Sequence, residues 1–98
     1  MFRPLYEIAM EVWKDWNGKV VGPHARPYLQ AMTELRSLND RYGTSEASSD
    51  SAKMIVGYFL GNVRSWKGET ARRIKAELKQ RMKDDNDPPG KYVTPVYW

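Results

Sequence analysis

Apolar side chains recur every three or four residues in four segments of this 98-residue chain. That spacing collects them on one face of an α-helix, whereas a half-buried strand would show strict alternation of apolar and polar residues. Residues that commonly stop helices separate the segments, at Asn17-Gly18, Gly43 and Gly68. The pattern predicts an all-α fold, a small bundle of three to four helices with an extended aromatic C-terminal tail.

The predicted helices cover about residues 4–16, 27–42, 51–66 and 68–83. The third begins after a cluster of candidate N-caps, Ser48, Ser49 and Asp50. Because apolar residues lie nearly all round it, we expect this helix to be central and buried. A chain of 98 residues supports one small core. We therefore expect residues 1–84 to form one helical domain, followed by an Asp/Pro-rich linker and aromatic tail at residues 85–98.

The predicted core consists of large apolar side chains on the inner faces of these helices. They are Leu5, Ile8, Val12, Leu29, Met32, Leu35, Ile55, Phe59, Ile74 and Leu78. Gly57 and Gly61 lie one turn apart on the third helix, where each costs about 1 kcal/mol relative to alanine. Close packing against another helix is the first explanation for them. The alternative is a flat face that a ligand or a partner's backbone uses.

Few residues of the chain can carry the chemistry of an active site. There is no cysteine, and the single histidine, His24, lies in a proline-bounded turn where a structural or solvated role is expected. A zinc site needs several such ligands, and catalysis by histidine needs an orienting acid or a nucleophile. Glu7 and Glu11 are expected on a solvated helix face. We therefore predict no catalytic residue, no metal and no cofactor, and hence that the protein is not an enzyme.

The strongest functional signal is a local excess of positive charge. Residues 64–83 hold eight basic and two acidic residues, a net charge of +6, whereas the rest of the chain sums to −2. Six basic residues are predicted to contact nucleic acid or an acidic partner: Arg64, Lys67, Arg72, Lys75, Lys79 and Lys83. On a helix the last four fall at steps of three and four, a spacing that can follow a phosphate backbone. The alternative is a solvated amphipathic face without a partner.

Aromatic residues near this segment and in the tail leave alternatives open. Trp66 is expected to pack on the core, and the alternative is that it stacks on a base. Tyr92, Tyr97 and Trp98 are the predicted contact residues of the tail. They pack across the protein's own helices or lodge in another molecule, which includes exchange of the tail between copies.

Several parts of the chain resemble a group of small proteins encoded by phages and prophages. The similar segments are YEIA (6–9), WKDW (13–16), PYLQAM (27–32) and SAKMIVGYFLGNVRSWKGETARRIKAEL (51–78). The resemblance covers about residues 6–83, and the group's function is uncharacterised. The loop at residues 44–51 is longer here, and the linker and tail look like an addition. The resemblance implies a mobile-element origin and a small accessory role, without functional residues that could be carried over.

No segment of the sequence predicts export or insertion into a membrane. The N-terminal residues lack the apolar stretch of a signal peptide. The longest nearly apolar run, residues 54–61, is far shorter than the about 20 residues of a membrane span. Absence of cysteine also fits a reducing compartment. We therefore expect a soluble protein in the cytoplasm of the host cell, with no membrane partner.

These observations support three hypotheses of function. The first is a non-enzymatic accessory protein that binds and modulates a host or defence protein, as anti-CRISPR-type inhibitors do. The second is a nucleic-acid-binding protein that contacts DNA or RNA through the basic face of its last helix. The third is a small structural protein that associates with itself as a homo-oligomer.

Overall fold

The computed structural model describes residues 2–17, 19, 22–43 and 49–94. Within these ranges the α-helices are α1 (Leu5–Trp16), α2 (Arg26–Met32), α3 (Ala52–Gly61) and α4 (Glu69–Asp84). A 3-10 turn precedes α2 at Pro23–Ala25. The strands are β1 (Arg41–Gly43), β2 (Ser49–Ser51) and β3 (Tyr92–Val93). The protein is therefore mostly helical, but it is not all-α as predicted. The three strands form a small sheet in the order β2-β1-β3.

Three of the four helices lie close to the predicted positions because their ends are encoded locally. Helix α1 ends at Asn17, which adopts a left-handed conformation with φ of 48°. Helix α3 begins after Ser51, whose side chain accepts a hydrogen bond from the backbone N–H of Met54 at 3.1 Å. The cap is thus one residue beyond the predicted cluster. Gly68, with φ of 112°, lies immediately before α4, as predicted, but α3 ends at Gly61, five residues before its predicted end at residue 66.

Helix α2 is the main error of the prediction, because it ends at Met32 and not near Tyr42. Beyond it, the carbonyl groups of Leu35 and Arg36 accept hydrogen bonds from the first N–H groups of α1, at 2.8 and 3.0 Å. These long-range bonds replace the bonds that a continued helix would form within itself. Leu35 is buried in the structure and would also be buried in the longer helix that was predicted. Its apolar character therefore did not distinguish the two conformations.

The sheet joins strand β3 to the segment that follows α2. Strand β1 pairs antiparallel with β2 and parallel with β3. Just before β3, the Ser37 hydroxyl donates to the Pro88 carbonyl at 2.6 Å, and the buried Asp40 carboxylate accepts from the N–H of Lys91 at 3.0 Å. Part of the segment predicted as linker and tail is therefore hydrogen-bonded to residues 37–41.

Gly90 lies where this segment approaches residues 39 and 40 most closely. A Cβ at position 90 would stand 2.0 Å from the backbone carbonyl carbon of Asn39 and 2.3 Å from the backbone nitrogen of Asp40. Because neither backbone atom can move freely, we expect Gly90→Ala to lower the free energy of unfolding by about 2 kcal/mol. Urea unfolding measures this change.

The control is Gly61→Ala, at a helical position where a new Cβ would lie more than 4 Å from the neighbouring atoms in the described part of the chain. Replacing that glycine should leave stability unchanged or raise it by up to about 1 kcal/mol. Equal stability of Gly90→Ala and the unchanged protein would contradict the close approach at position 90.

The hydrophobic core confirms the predicted set of residues. All ten predicted core residues are buried, and Ile55, at 4%, is the most exposed of them. Near the centre of the core the Phe59 ring stacks on Trp16, with ring centroids 6.5 Å apart, and meets the edge of Trp66 at 6.4 Å. The period of apolar residues therefore identified these ten buried side chains, although Leu35 lies outside α2, the helix that was predicted to contain it.

Helix α3 is less enclosed than predicted, which corrects the picture of a helix buried all round. Met54 and Tyr58 are 47% and 50% exposed. Gly57 does approach Met82 of α4, since a Cβ there would lie 3.9 Å from its terminal methyl carbon. Gly61 is exposed and has no such neighbour among the described residues, so close packing explains only the first of the two glycines.

Candidate functional site

Helix α4 carries charged residues on both sides of its buried apolar stripe. The 3.6-residue period places them on two separate flanks. One flank holds the predicted contact residues Arg72, Lys75, Lys79 and Lys83. The other flank holds Arg73, Glu77 and Arg81. We call the first four residues, together with Arg64 and Lys67 in the connection between α3 and α4, the cationic row.

On the second flank, Arg73 and Glu77 form ion pairs with residues near the N-terminal end of the chain. Arg73 forms an ion pair with Glu11, and Glu77 pairs with Arg3 at 2.8 Å. Arg3 also contacts Glu11 at 2.9 Å, so the four side chains form one network. The hydrogen bond from Arg73, joined by that from Arg3, outweighs burial and lowers the pKa of Glu11. Glu7 is exposed as expected, but the solvated position predicted for Glu11 is wrong.

Arg81, at the end of the same flank, pairs with Asp87 at 2.7 Å. The two side chains are 12% and 4% exposed. Asp87 also accepts a hydrogen bond from the N–H of Leu38 at 2.7 Å. Burial would raise the pKa of Asp87, but the hydrogen bonds from Arg81 and Leu38 outweigh it and lower the pKa. The sequence placed Asp87 only in the Asp/Pro-rich linker, since no local spacing reveals a backbone donor 49 residues away.

The cationic row has a different environment. Five of its residues are exposed, namely Arg64, Lys67, Arg72, Lys79 and Lys83. Over the part of the chain that the structure describes, none of these five forms an ion pair with a carboxylate. The arrangement therefore leaves one flank of α4 with uncompensated positive charge, available to an anion from outside the molecule.

Lys75, the sixth residue of the cationic row, is partly buried. Its Nζ atom donates to the Trp66 carbonyl oxygen at 2.7 Å and lies 5.8 Å from the centre of the Trp66 ring. Burial lowers the pKa of Lys75, and the positive charges of Lys67 and Lys79 lower it further. Three cations of the row are thus close enough to repel one another, and an anion placed between them would relieve that repulsion.

A cavity of about 320 Å³ opens where the connection meets the start of α4. Its lining residues are Trp66, Lys67, Gly68, Ala71, Arg72 and Lys75. Gly68 supplies no side-chain cap to the helix, and the positive end of the helix dipole adds to the cations around the cavity. The chemistry of this lining suits a phosphate or carboxylate group.

Trp66 itself belongs to the core, which confirms the first expectation for it. The residue is 3% exposed, and its indole N–H donates to Asp15 at 2.8 Å. The ring also meets Trp16 edge-on with centroids 6.0 Å apart. Because the Trp66 ring is buried among these contacts, it is not available to stack on a base. The structure therefore excludes the stacking role for Trp66.

The predicted tail contacts lie only partly within the described residues. Tyr92, in β3, is 52% exposed. The next residue, Val93, packs against the core. Tyr97 and Trp98 lie outside the described residues, so the destination of the tail stays a prediction.

The remaining sequence candidates form no site of their own. His24 is exposed in the 3-10 turn. In the described ranges, no group of three or more histidine or carboxylate side chains is arranged to hold a metal ion. No helix in those ranges combines the length and the apolar character needed to cross a membrane.

Comparison with protein-family models, with curated proteins and with solved structures found no match to this chain. The similarity to small phage-encoded proteins therefore stays a prediction from the sequence. The cationic row and the surfaces around it are the features of the described residues that indicate a function.

Proposed function

We propose that this protein is a non-enzymatic accessory protein of a phage or another mobile element. It binds an acidic surface of a host or defence protein inside the host cell and modulates that protein by occupying the surface, as anti-CRISPR-type inhibitors do. The observation that carries the proposal is the contrast within α4. Arg73 and Arg81 are neutralised by carboxylates, whereas the exposed cations of the row have none in the described residues. Uncompensated like charges repel one another, and an acidic partner would remove that cost.

Exposed apolar side chains support a protein as the partner. Met54, Tyr58 and Tyr92 are each about half exposed, at 47%, 50% and 52%. Methionine, tyrosine and arginine are enriched in protein–protein interfaces, where aromatic and arginine side chains contribute much of the binding energy. Exposed groups of this kind favour a protein partner that has apolar as well as acidic patches.

Nucleic acid is the second candidate, and the linear spacing of the row favours it. From Arg72 to Lys83 the row extends about 16 Å along the helix axis. A strand of B-DNA presents one phosphate per about 3.4 Å of axis, so four or five phosphates fit that length. Because Trp66 is buried and does not stack on bases, such binding would depend mainly on phosphate contacts and would be weakly sequence-specific.

Charge reversal tests both candidates with one pair of variants. The row variant combines Arg72→Glu, Lys79→Glu and Lys83→Glu. The control variant has the same net charge and changes exposed cations elsewhere, namely Lys19→Glu, Arg26→Glu and Lys91→Glu. We expect the row variant to capture its protein partner from host-cell lysate at least about tenfold less well, while the control retains capture. Equal capture by the two variants would contradict the proposal.

The nucleic-acid candidate is measured with the same two variants by fluorescence anisotropy on DNA and RNA at several salt concentrations. Six phosphate contacts predict a slope of about −5 for the logarithm of affinity against the logarithm of salt concentration. Charge reversal in the row should weaken binding and flatten this slope, and the control should not. Affinity that does not change with salt would exclude the row as a phosphate contact.

A further inference from the structure

The outer face of α1 exposes an apolar stripe that the cationic row does not use. Tyr6 and Met10 are 43% and 60% exposed, and Trp13 is half-buried beside them. The three residues follow one another at steps of four and three, so they share one side of the helix. They line a shallow, open depression of about 860 Å³. An apolar stripe on a solvent-facing helix suits contact with another helix.

Two opposite charges lie along one side of this stripe. Glu7 and Lys14 are exposed and also line the depression. Neither forms an ion pair with another described residue. They lie seven residues apart, about 10 Å along the helix, which is too far to pair with each other. Glu11, which lies between them, is already held by Arg3 and Arg73.

We propose that this face of α1 binds the same face of a second copy of the chain in antiparallel orientation. A two-fold axis near Met10 places Glu7 of one copy opposite Lys14 of the other, and the reverse pair forms at the same time. Such a two-fold interface must be complementary to itself, and the order of charges along α1 meets that requirement. The stripe of Tyr6, Met10 and Trp13 is then buried beside the two charge pairs, which lie along one edge of the interface.

The area of the α1 face limits the expected affinity of the dimer. One face of a twelve-residue helix per copy falls below the roughly 1,200 Å² that a stable complex usually buries. We therefore expect a weak dimer that forms at high protein concentration.

Charge exchange tests the proposal by sedimentation equilibrium of the full chain. Glu7→Lys and Lys14→Glu each place like charges together in both pairs of the dimer, and each should weaken self-association about tenfold. The double variant Glu7→Lys/Lys14→Glu exchanges the charges and should restore the original association. A mixture of the two single variants should form heterodimers, because a face with two lysines then meets a face with two glutamates.

The control is Lys19→Glu, which alters the net charge outside the face and should leave association unchanged. Circular dichroism of every variant checks that α1 still folds. A protein that stays monomeric at all concentrations would overturn the proposal, as would a double variant that remains as weak as the single variants. Neither result depends on the cationic row, so the proposed function is tested separately.

Discussion

Phe59→Ala is expected to lower the free energy of unfolding by about 3–5 kcal/mol. The side chain is 0% exposed and packs between Trp16 and Trp66, with ring centroids 6.5 and 6.4 Å away. Truncation removes the transfer free energy of the ring and leaves a cavity between large, rigid side chains that cannot readily collapse into it. Urea unfolding, followed by tryptophan fluorescence, measures the change.

Met54→Ala provides the control on the same helix. Met54 is 47% exposed, so its truncation should change stability by no more than about 0.5 kcal/mol. If Phe59→Ala instead unfolded at the same urea concentration as the unchanged protein, the central position of Phe59 would be wrong.

Asp87→Ala is expected to cost about 3 kcal/mol of stability at neutral pH, since it leaves a poorly exposed arginine without its partner. The Arg81 and Asp87 side chains are 12% and 4% exposed, and the change also removes the acceptor for the N–H of Leu38. Thermal unfolding of the two proteins measures the difference. Asp50→Asn, at an exposed carboxylate in β2, is the control and should have little effect.

The Asp87 carboxylate also makes the stability difference between the unchanged protein and Asp87→Ala depend on pH. Because the pKa of Asp87 is lowered in the folded protein, its contribution is complete above the ordinary aspartate pKa of about 3.9 and is lost as the pH falls through the lower folded value. The stability of the unchanged protein should therefore approach that of Asp87→Ala below about pH 4. Glu11 also has a lowered pKa and contributes to acid unfolding in both proteins, so the difference between them isolates Asp87. A gap that stayed constant down to the most acid conditions would contradict the charged pair.

The candidate site was only partly predictable from the sequence. Helical spacing placed Arg72, Lys79 and Lys83 on one flank, and all three are exposed. The total charge of the segment did not show that Arg73 and Arg81 are neutralised, because their carboxylate partners lie outside it. The exposed apolar stripe on α1, where we propose a dimer face, was likewise not apparent, since exposure of Tyr6 and Met10 depends on which side of α1 the other helices cover.

Three of the helices and the identity of the core follow from local patterns in the chain. They depend on the period of apolar residues and on helix boundaries such as Ser51 and Gly68, which act within a few residues. Contacts between distant segments determine where α2 ends, how the three strands pair and which cations lack a carboxylate partner among the described residues. Each of those outcomes depends on hydrogen bonds or charges from far along the chain, such as the pair of Arg73 and Glu11, 62 residues apart. Local patterns carry no information about such partners until folding brings them together.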